Sequence, residues 1–384
     1  MKTRRQGENA ITLLRSGVEF FPALREAIDN AHHSIHIETY IFEPDETGHS
    51  LATALRFAAQ RGVKVRLVVD GFGSREFVDT MLPGLRAAGL EILVFRRELR
   101  TFALQKRRLR RLHRKTAVID GTLGFVGGIN IIDDQNTPHH DPPRFDYAVS
   151  LRGPIVGDLA SAQNALWRIL SWARIRRRPE PMPPPPRPPA AGNMAASLLL
   201  RDNLRRRREI ENAYLNAIGH ARREVLIASA YFLPGRRFRN ALVQASRRGV
   251  TVTLLLQGRT EYWLMRQAEQ ALYPHLLSAG IRIVEYRKSF LHAKVAVIDD
   301  DWATVGSSNI DPFSLLLARE ANVIVRDATF CSILRVDIEN AMNDGGVALR
   351  EDHWQHLSWP RRVLSWCAFG VVRWLAGRLA APEL

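Results

Sequence analysis

The feature that most constrains this chain is an internal duplication carried by one short pattern. His113, Lys115 and Asp120 lie in LHRKTAVIDGTLGFVGGIN, and His292, Lys294 and Asp299 lie in LHAKVAVIDDDWATVGSSN. After each Asp comes a gap of six residues and then a small-residue run ending in Asn: Gly127-Gly128-Ile129-Asn130 and Gly306-Ser307-Ser308-Asn309. Histidine, glycine and asparagine are displaced by the same 179 residues (292 − 113, 306 − 127, 309 − 130). Only six of the 55 basic residues are Lys, and two of the six fall inside the pattern. A compact ammonium is evidently needed there, where the planar guanidinium of Arg would not serve.

The repeat extends beyond the pattern. SIHIETYIF (34–42) parallels EVLIASAYFL (224–233), both apolar and β-prone. AAQRGVKVRLVVDG (58–71) parallels ASRRGVTVTLLLQG (245–258), and LRAAGLEILVF (85–95) parallels LLSAGIRIVEY (276–286). Each of these pairs reads as a helix end, a Gly stop and a buried strand. Each half therefore reads β-α-β-α-β followed by a hairpin, an α/β fold with a largely buried sheet. Tyr40 to Tyr231 and Gly89 to Gly280 are spaced 191 apart (231 − 40, 280 − 89), so the first half carries twelve extra residues before His113. They fall in the basic stretch RRELRTFALQKRRLRR (96–111), read as a solvated loop or a substrate-facing rim.

The expected organisation is a first lobe over 1–178, a proline-rich linker over 179–193, a second lobe over 194–358 and a tail over 359–384. The linker run PEPMPPPPRPP (179–189) cannot continue a helix and favours extended polyproline II. The tail sets Trp359, Trp366 and Trp374 among Leu, Val and Phe, with Arg361, Arg362, Arg373 and Arg378 interspersed. Such a segment suits a membrane interface, the alternative being a helix docked on the domain surface. No apolar run is long enough to span a bilayer, and the N-terminus MKTRRQGENA does not read as a secretory signal. Cys331 and Cys367 give no disulfide framework. The net charge of +16 implies an anionic partner, nucleic acid or acidic lipid, and composition does not separate the two.

Period-two geometry puts His113 and Lys115 on one face of a strand, and His292 and Lys294 likewise. If the halves pack about a pseudo-twofold axis, two His, two Lys, Asn130 and Asn309 meet in a pocket suited to a phosphodiester. The lysines and asparagines would hold the non-bridging oxygens. One imidazole would attack phosphorus while the other protonates the departing alkoxide. No metal or other cofactor is needed, and His32-His33 and His139-His140-Asp141 read as surface residues rather than ligand sets. A histidine nucleophile needs its second ring nitrogen oriented, usually by a carboxylate. Asp146, 33 residues after His113, and Glu320, 28 after His292, occupy corresponding places (146 − 113, 320 − 292). Asp120 and Asp299 fall at hairpin turns, where a capping role and a catalytic role both stay open.

With its duplicated His-x-Lys-x4-Asp pattern and following GGIN and GSSN, the chain resembles the phospholipase D superfamily over about residues 8–345. That resemblance implies two similar α/β lobes with one active site between them, a covalent phosphohistidine and no metal. Carried onto the matching positions, His113 would be the nucleophile and His292 the general acid/base. Lys115, Lys294, Asn130 and Asn309 would bind phosphate, and Asp146 and Glu320 would orient the histidines. Within the superfamily, IETYIF, FDYAV with GPIV, GSSNIDPFSLLLAREANVIV and the Trp/Arg tail resemble the short bacterial cardiolipin synthases, which lack N-terminal membrane helices. The implied reaction moves a phosphatidyl group from one phospholipid, with phosphatidylglycerol the expected donor, to the hydroxyl of phosphatidylglycerol, releasing glycerol. The implied partners are anionic phospholipids on the cytoplasmic face of the inner membrane, without nucleic acid. The alternative is a phosphodiesterase or nuclease of the same superfamily, against which no base-stacking platform is evident. Ala318-Arg319 departs from these relatives, which commonly carry Asn before the Glu.

Overall fold

A computed structural model describes residues 6–96, 111–137, 140–175, 188–202, 206–259, 263–316, 318–352 and 359–380. The basic stretch before His113, most of the proline linker and His139 lie outside these residues.

The first half runs β1 (Gln6–Arg15), α1 (Ser16–Asp29), β2 (Ser34–Thr39), α2 (Glu46–Gln60), β3 (Lys64–Asp70), α3 (Arg75–Thr80), α4 (Leu82–Ala87), β4 (Glu91–Phe95), β5 (Thr116–Ile119), β6 (Leu123–Gly127), β7 (Arg144–Phe145), β8 (Tyr147–Arg152) and α5 (Ile155–Ile175). The second runs β9 (Met194–Arg201), α6 (Glu209–His220), β10 (Glu224–Ser229), α7 (Arg236–Arg247), β11 (Thr251–Gln257), α8 (Trp263–Gln270), α9 (Tyr273–Leu277), β12 (Arg282–Tyr286), β13 (Phe290–Leu291), β14 (Lys294–Ile298), β15 (Trp302–Gly306), α10 (Pro312–Leu316), β16 (Glu320–Arg326), α11 (Ala328–Gly345) and β17 (Gly346–Ala348). A last helix, α12, covers Trp359–Ala380.

The two halves repeat one sheet order. Moving outward from the junction it is β1-β8-β6-β5-β2-β3-β4 in the first and β9-β16-β15-β14-β10-β11-β12, with β17 added, in the second. The strands after the Gly stops are apolar and β-branched and pair in parallel: β2 with β3 and β3 with β4, β10 with β11 and β11 with β12. Helices cover both faces, as a buried parallel sheet requires. Gly62 and Gly249, at φ +88° and +86°, end α2 and α7 in the left-handed conformation that permits the sharp turn into β3 and β11.

What the repeat did not disclose is how the halves join. The first strand of each, β1 and β9, pairs antiparallel with the other, and the two sheets become one of fifteen strands. Pairing removes two edges that would otherwise expose unpaired N–H and C=O groups. One apolar core runs across this junction under α5 and α11, from Leu151, Val156 and Leu159 to Val323, Leu334 and Ile338. Separate cores lie on the opposite face, under α1 and α2 in the first half and under α6 and α7 in the second. The tail docks as a helix. Ser365, Ala368, Phe369 and Val372 face inward, at the i, i+3, i+4, i+7 spacing of a buried stripe. Of its four arginines only the side chain of Arg373 is among those described.

Candidate active site

β5 and β14 run antiparallel to β2 and β10, so their N-terminal ends meet the C-terminal ends of the parallel strands, with Glu38 opposite Thr116 and Ser229 opposite Lys294. His113 and Lys115, and His292 and Lys294, sit at that edge. The chain then leaves through the hairpin turns at Asp120 and Asp299. Both aspartates have left-handed backbone, φ 50° and 51°. The Asp120 carboxylate accepts from the amides of His32, His33 and Ser34 at 2.8–2.9 Å. Asp299 accepts from those of Arg222, Arg223 and Glu224 at 2.8–3.3 Å. The two aspartates of the pattern thus clamp the loops entering β2 and β10, at the far end of β5 and β14 from the histidines. The structure gives them this structural task and keeps them out of the histidine cluster.

The histidines take their carboxylates from the opposite half. His113 Nδ1 lies 2.9 and 3.0 Å from Glu320 Oε1 and Oε2, and His292 Nδ1 lies 2.6 Å from Asp146 Oδ2. Backbone pairing enforces the exchange. β13, just before His292, pairs in parallel with β7, just before Asp146, and the His292 amide donates to Phe145 O at 2.7 Å. Leu112 likewise bridges Arg319, and the His113 amide donates to Arg319 O at 3.0 Å. Each histidine segment therefore lies beside the acid-bearing strand of the other half, and neither half holds a complete histidine–carboxylate pair.

Lys115, Lys294, Asp146 and Glu320 are buried and His113 and His292 largely so, with side chains 16% and 13% exposed, which sets their titration. Burial lowers His113, with Glu320 opposing and Lys115 adding to the fall. Burial and then Lys294 push His292 down to about 3 against the pull of Asp146. Burial brings Lys115 down to about 7 and Lys294 to about 8; Glu320 and Asp146 oppose, while Lys294 adds to the fall of Lys115 and Arg144 to that of Lys294. Burial would raise Asp146, but Lys294 and His292 outweigh it and hold the carboxylate below its ordinary value. Two neutral imidazoles beside two easily deprotonated lysines form a site short of negative charge, and an entering phosphodiester would restore the lysine protons.

The halves differ around their acids. Ser307 Oγ donates to Glu320 Oε2 at 2.5 Å and accepts from the Ala321 amide at 3.0 Å. The equivalent residue beside the shorter Asp146 is Gly128, where a Cβ would lie 2.4 Å from Asp146 Oδ1. Asp146 instead has Lys294 Nζ at 3.6 Å. Lys115 and Lys294 each donate to the carbonyl of their own histidine, Lys115 at 2.9 Å. Asn130 Oδ1 accepts from the Ile41 amide at 3.1 Å, whereas the buried Asn309 Oδ1 has no partner among the described residues. Tyr40 lies against His113, ring centres 5.1 Å apart.

Two further residues were missed from sequence. Asp70 Oδ2 accepts from the Leu112 amide at 2.9 Å, and Gln257 Oε1 accepts from the Leu291 amide at 3.2 Å. Both are buried at the C-terminal ends of equivalent strands, β3 and β11, and both hold the residue before a histidine. The available signal was their shared place before Gly71 and Gly258 in the aligned halves, hidden because one is Asp and the other Gln. His32 and His33 serve through their backbone amides at the Asp120 clamp, and His140 stacks on Phe290 at 4.1 Å.

Comparison with known proteins bears on the family and the fold. A family model described as "Cardiolipin synthase, PLD-like domain" matches residues 24–141 and 214–342, one segment in each half. The chain is 38% identical to cardiolipin synthase B of Escherichia coli K12, over 97% of this chain and 90% of that protein. It is 29% identical to the minor cardiolipin synthase ClsB of Bacillus subtilis 168, over 89% and 83%. Among solved structures, the phosphatidylserine synthase of Haemophilus influenzae Rd KW20 superposes with a TM-score of 0.69, covering 97% of this chain and 95% of that one at 14% identity, a likeness of fold.

Proposed function

The chain belongs to the phospholipase D-like cardiolipin synthase family and is a phospholipid phosphatidyltransferase, and from that premise we propose a two-step transfer through His113. In the first step His113 Nε2 attacks the phosphorus of phosphatidylglycerol. The P–N bond forms, the P–O bond to glycerol breaks, and His292 Nε2–H protonates the departing glycerol oxygen. In the second step His292 takes the proton from the hydroxyl of another phosphatidylglycerol, whose oxygen attacks phosphorus. The P–N bond then breaks, cardiolipin leaves and His113 is restored. Lys115, Lys294 and the side-chain amides of Asn130 and Asn309 bind the non-bridging oxygens.

The observation that carries this reading is the exchange of carboxylates between the halves, which brings two oriented imidazoles to one place. The asymmetry between them supports the division of labour. Glu320 faces His113 through both oxygens and is held by a hydroxyl rather than an ammonium, so its charge is available to stabilise a phosphorylated imidazole. Lys294 beside Asp146 partly neutralises that carboxylate, which makes a protonated His292 the stronger acid, as donation to an alkoxide requires. The free site keeps His292 unprotonated, so its proton arrives as the anionic diester binds.

Among the described residues no helix is long and apolar enough to cross a membrane. We place the protein on the surface of the cytoplasmic leaflet, where its lipids are presented. The test is turnover on phosphatidylglycerol vesicles: equal amounts of cardiolipin and glycerol should form, and either His113→Ala or His292→Ala should abolish both. Phosphatidic acid in place of cardiolipin would make the protein a hydrolase and overturn the transfer.

A further inference from the structure

One surface of the second half carries features that the reaction leaves unused. Opposite its buried stripe, α12 leaves Trp366 and Trp374 53% and 55% exposed, with Val363, Leu364 and Val371 beside them. Trp263, at the start of the α8 helix on which α12 packs, is 59% exposed. A helix apolar on one side needs one neighbour. Here a second apolar side is left uncovered on α12 and the packed α8 adds an exposed tryptophan, and exposed apolar surface of that kind marks a binding surface.

Charge indicates what it binds. Arg239 and Arg373 each lie 5.5 Å from the centre of the Phe369 ring, on the same helix as the exposed tryptophans. Burial, Arg373 and Arg236 together hold Arg239 below its ordinary value. Among the described residues no carboxylate pairs with any of these three arginines. Guanidinium groups gathered without a counter-charge, beside exposed indoles, match an anionic headgroup layer over an apolar interior.

Position adds a third argument. α7 and α8 begin shortly after the C-terminal ends of β10 and β11, the edge of the sheet that carries His292 and Lys294. α12 also touches α10, which starts three residues after Asn309. Among the described residues the first half has no counterpart of α12, so the surface belongs to one side of the reaction centre.

We propose that α12, the start of α8 and the cluster of Arg236, Arg239 and Arg373 form a docking surface for an anionic phospholipid bilayer, seating the second half's side of the reaction centre at headgroup level. The proposal rests on the phospholipid-transfer reading and names the face that meets the membrane. The tryptophans insert at the level of the headgroups while the arginines meet lipid phosphates, at roughly a fivefold gain in binding for each arginine near the surface.

The experiment compares the full chain with two variants, Trp263→Glu/Trp366→Glu/Trp374→Glu and Arg236→Gln/Arg373→Gln. Each is tested by co-sedimentation with phosphatidylglycerol or phosphatidylcholine vesicles, and by turnover of phosphatidylglycerol both in vesicles and as a short-chain, monomerically dispersed lipid. Preference of the wild type for phosphatidylglycerol vesicles is expected. Both variants should lose about tenfold or more in vesicle binding and vesicle turnover, with turnover of the dispersed lipid within about twofold of wild type. Unchanged vesicle binding, or a parallel loss on the dispersed lipid, would overturn the proposal. So would a lipid-free wild-type dimer that the tryptophan variant converts to monomer, since the face would then join two copies of the chain. Binding is read without turnover, so a wild type that binds vesicles but converts no lipid counts against the transfer reading and for the docking surface.

Discussion

Replacing Gly128 with Ala probes the site through a single methyl group. The new Cβ would stand 2.4 Å from Asp146 Oδ1 and 2.5 Å from Oδ2, and a tolerable contact begins near 3.0 Å. The carboxylate must therefore move by about 0.6 Å or more, a scale at which misplaced reacting groups lose rate steeply. That carboxylate is 2.6 Å from His292 Nδ1 and 2.8 Å from the Tyr147 amide. A charge-assisted hydrogen bond contributes about 1.5–3 kcal/mol, so its loss in the transition state lowers kcat about 10- to 150-fold. KM should change less, because the lysines and asparagines proposed to hold the phosphate are not themselves substituted. The assay is the initial rate of cardiolipin formation on phosphatidylglycerol vesicles, with folding checked by thermal melting, since crowding a buried site costs about 1–3 kcal/mol. A folded Gly128→Ala protein with kcat within about twofold of wild type would refute the role given to Asp146. Ser307→Gly is the counterpart, removing the hydroxyl from Glu320 without a clash.

Further expectations follow from the same geometry. Asp299→Ala should destabilise the fold by about 1–3 kcal/mol, read by urea denaturation, because three backbone amides lose their acceptor, while the folded fraction keeps its kcat. Burial raises Asp299, but the amides of Glu224, Arg222 and Arg223 outweigh it and hold the carboxylate below its ordinary value. Its contribution is therefore complete above the ordinary value and fades as pH falls through the lower folded one. Since Lys115 and Lys294 are down to about 7 and 8, kcat/KM should fall as pH rises through that range. A decline first seen near the ordinary lysine value would contradict this. The acid limb should lie below the ordinary histidine value, because burial lowers His113, which must be unprotonated to attack. Gln257→Leu frees the Leu291 amide and should lower kcat about tenfold through His292 while leaving KM nearly unchanged, as initial rates over a phosphatidylglycerol series would show.

Much of this fold was legible in the repeat because strands and Gly stops are local signals: the runs at 34–42 and 224–233 become β2 and β10, and Gly62 and Gly249 end helices as read. The turn position of Asp120 and Asp299 was also visible, since period-two alternation ends there. The long-range pairings were not. Asp146 follows His113 and Glu320 follows His292 at similar distances, which points to partnership within each half. The exchange arises from β7 meeting β13 and Leu112 meeting Arg319, contacts no local pattern encodes. The β1–β9 pairing was hidden for the same reason. Asp70 and Gln257 escaped because their side chains serve backbone amides 42 and 34 residues away, a task that leaves no periodic trace.

The covalent step through His113 is tested most directly by trapping it. His292→Ala keeps the nucleophile and removes the proton donor, so the intermediate should accumulate when the donor lipid carries a leaving group that needs no protonation. After acid-free quenching and proteolysis, mass spectrometry of such a reaction should find the phosphatidyl group on the peptide containing His113. Its absence there, or its presence on another residue, would contradict the mechanism.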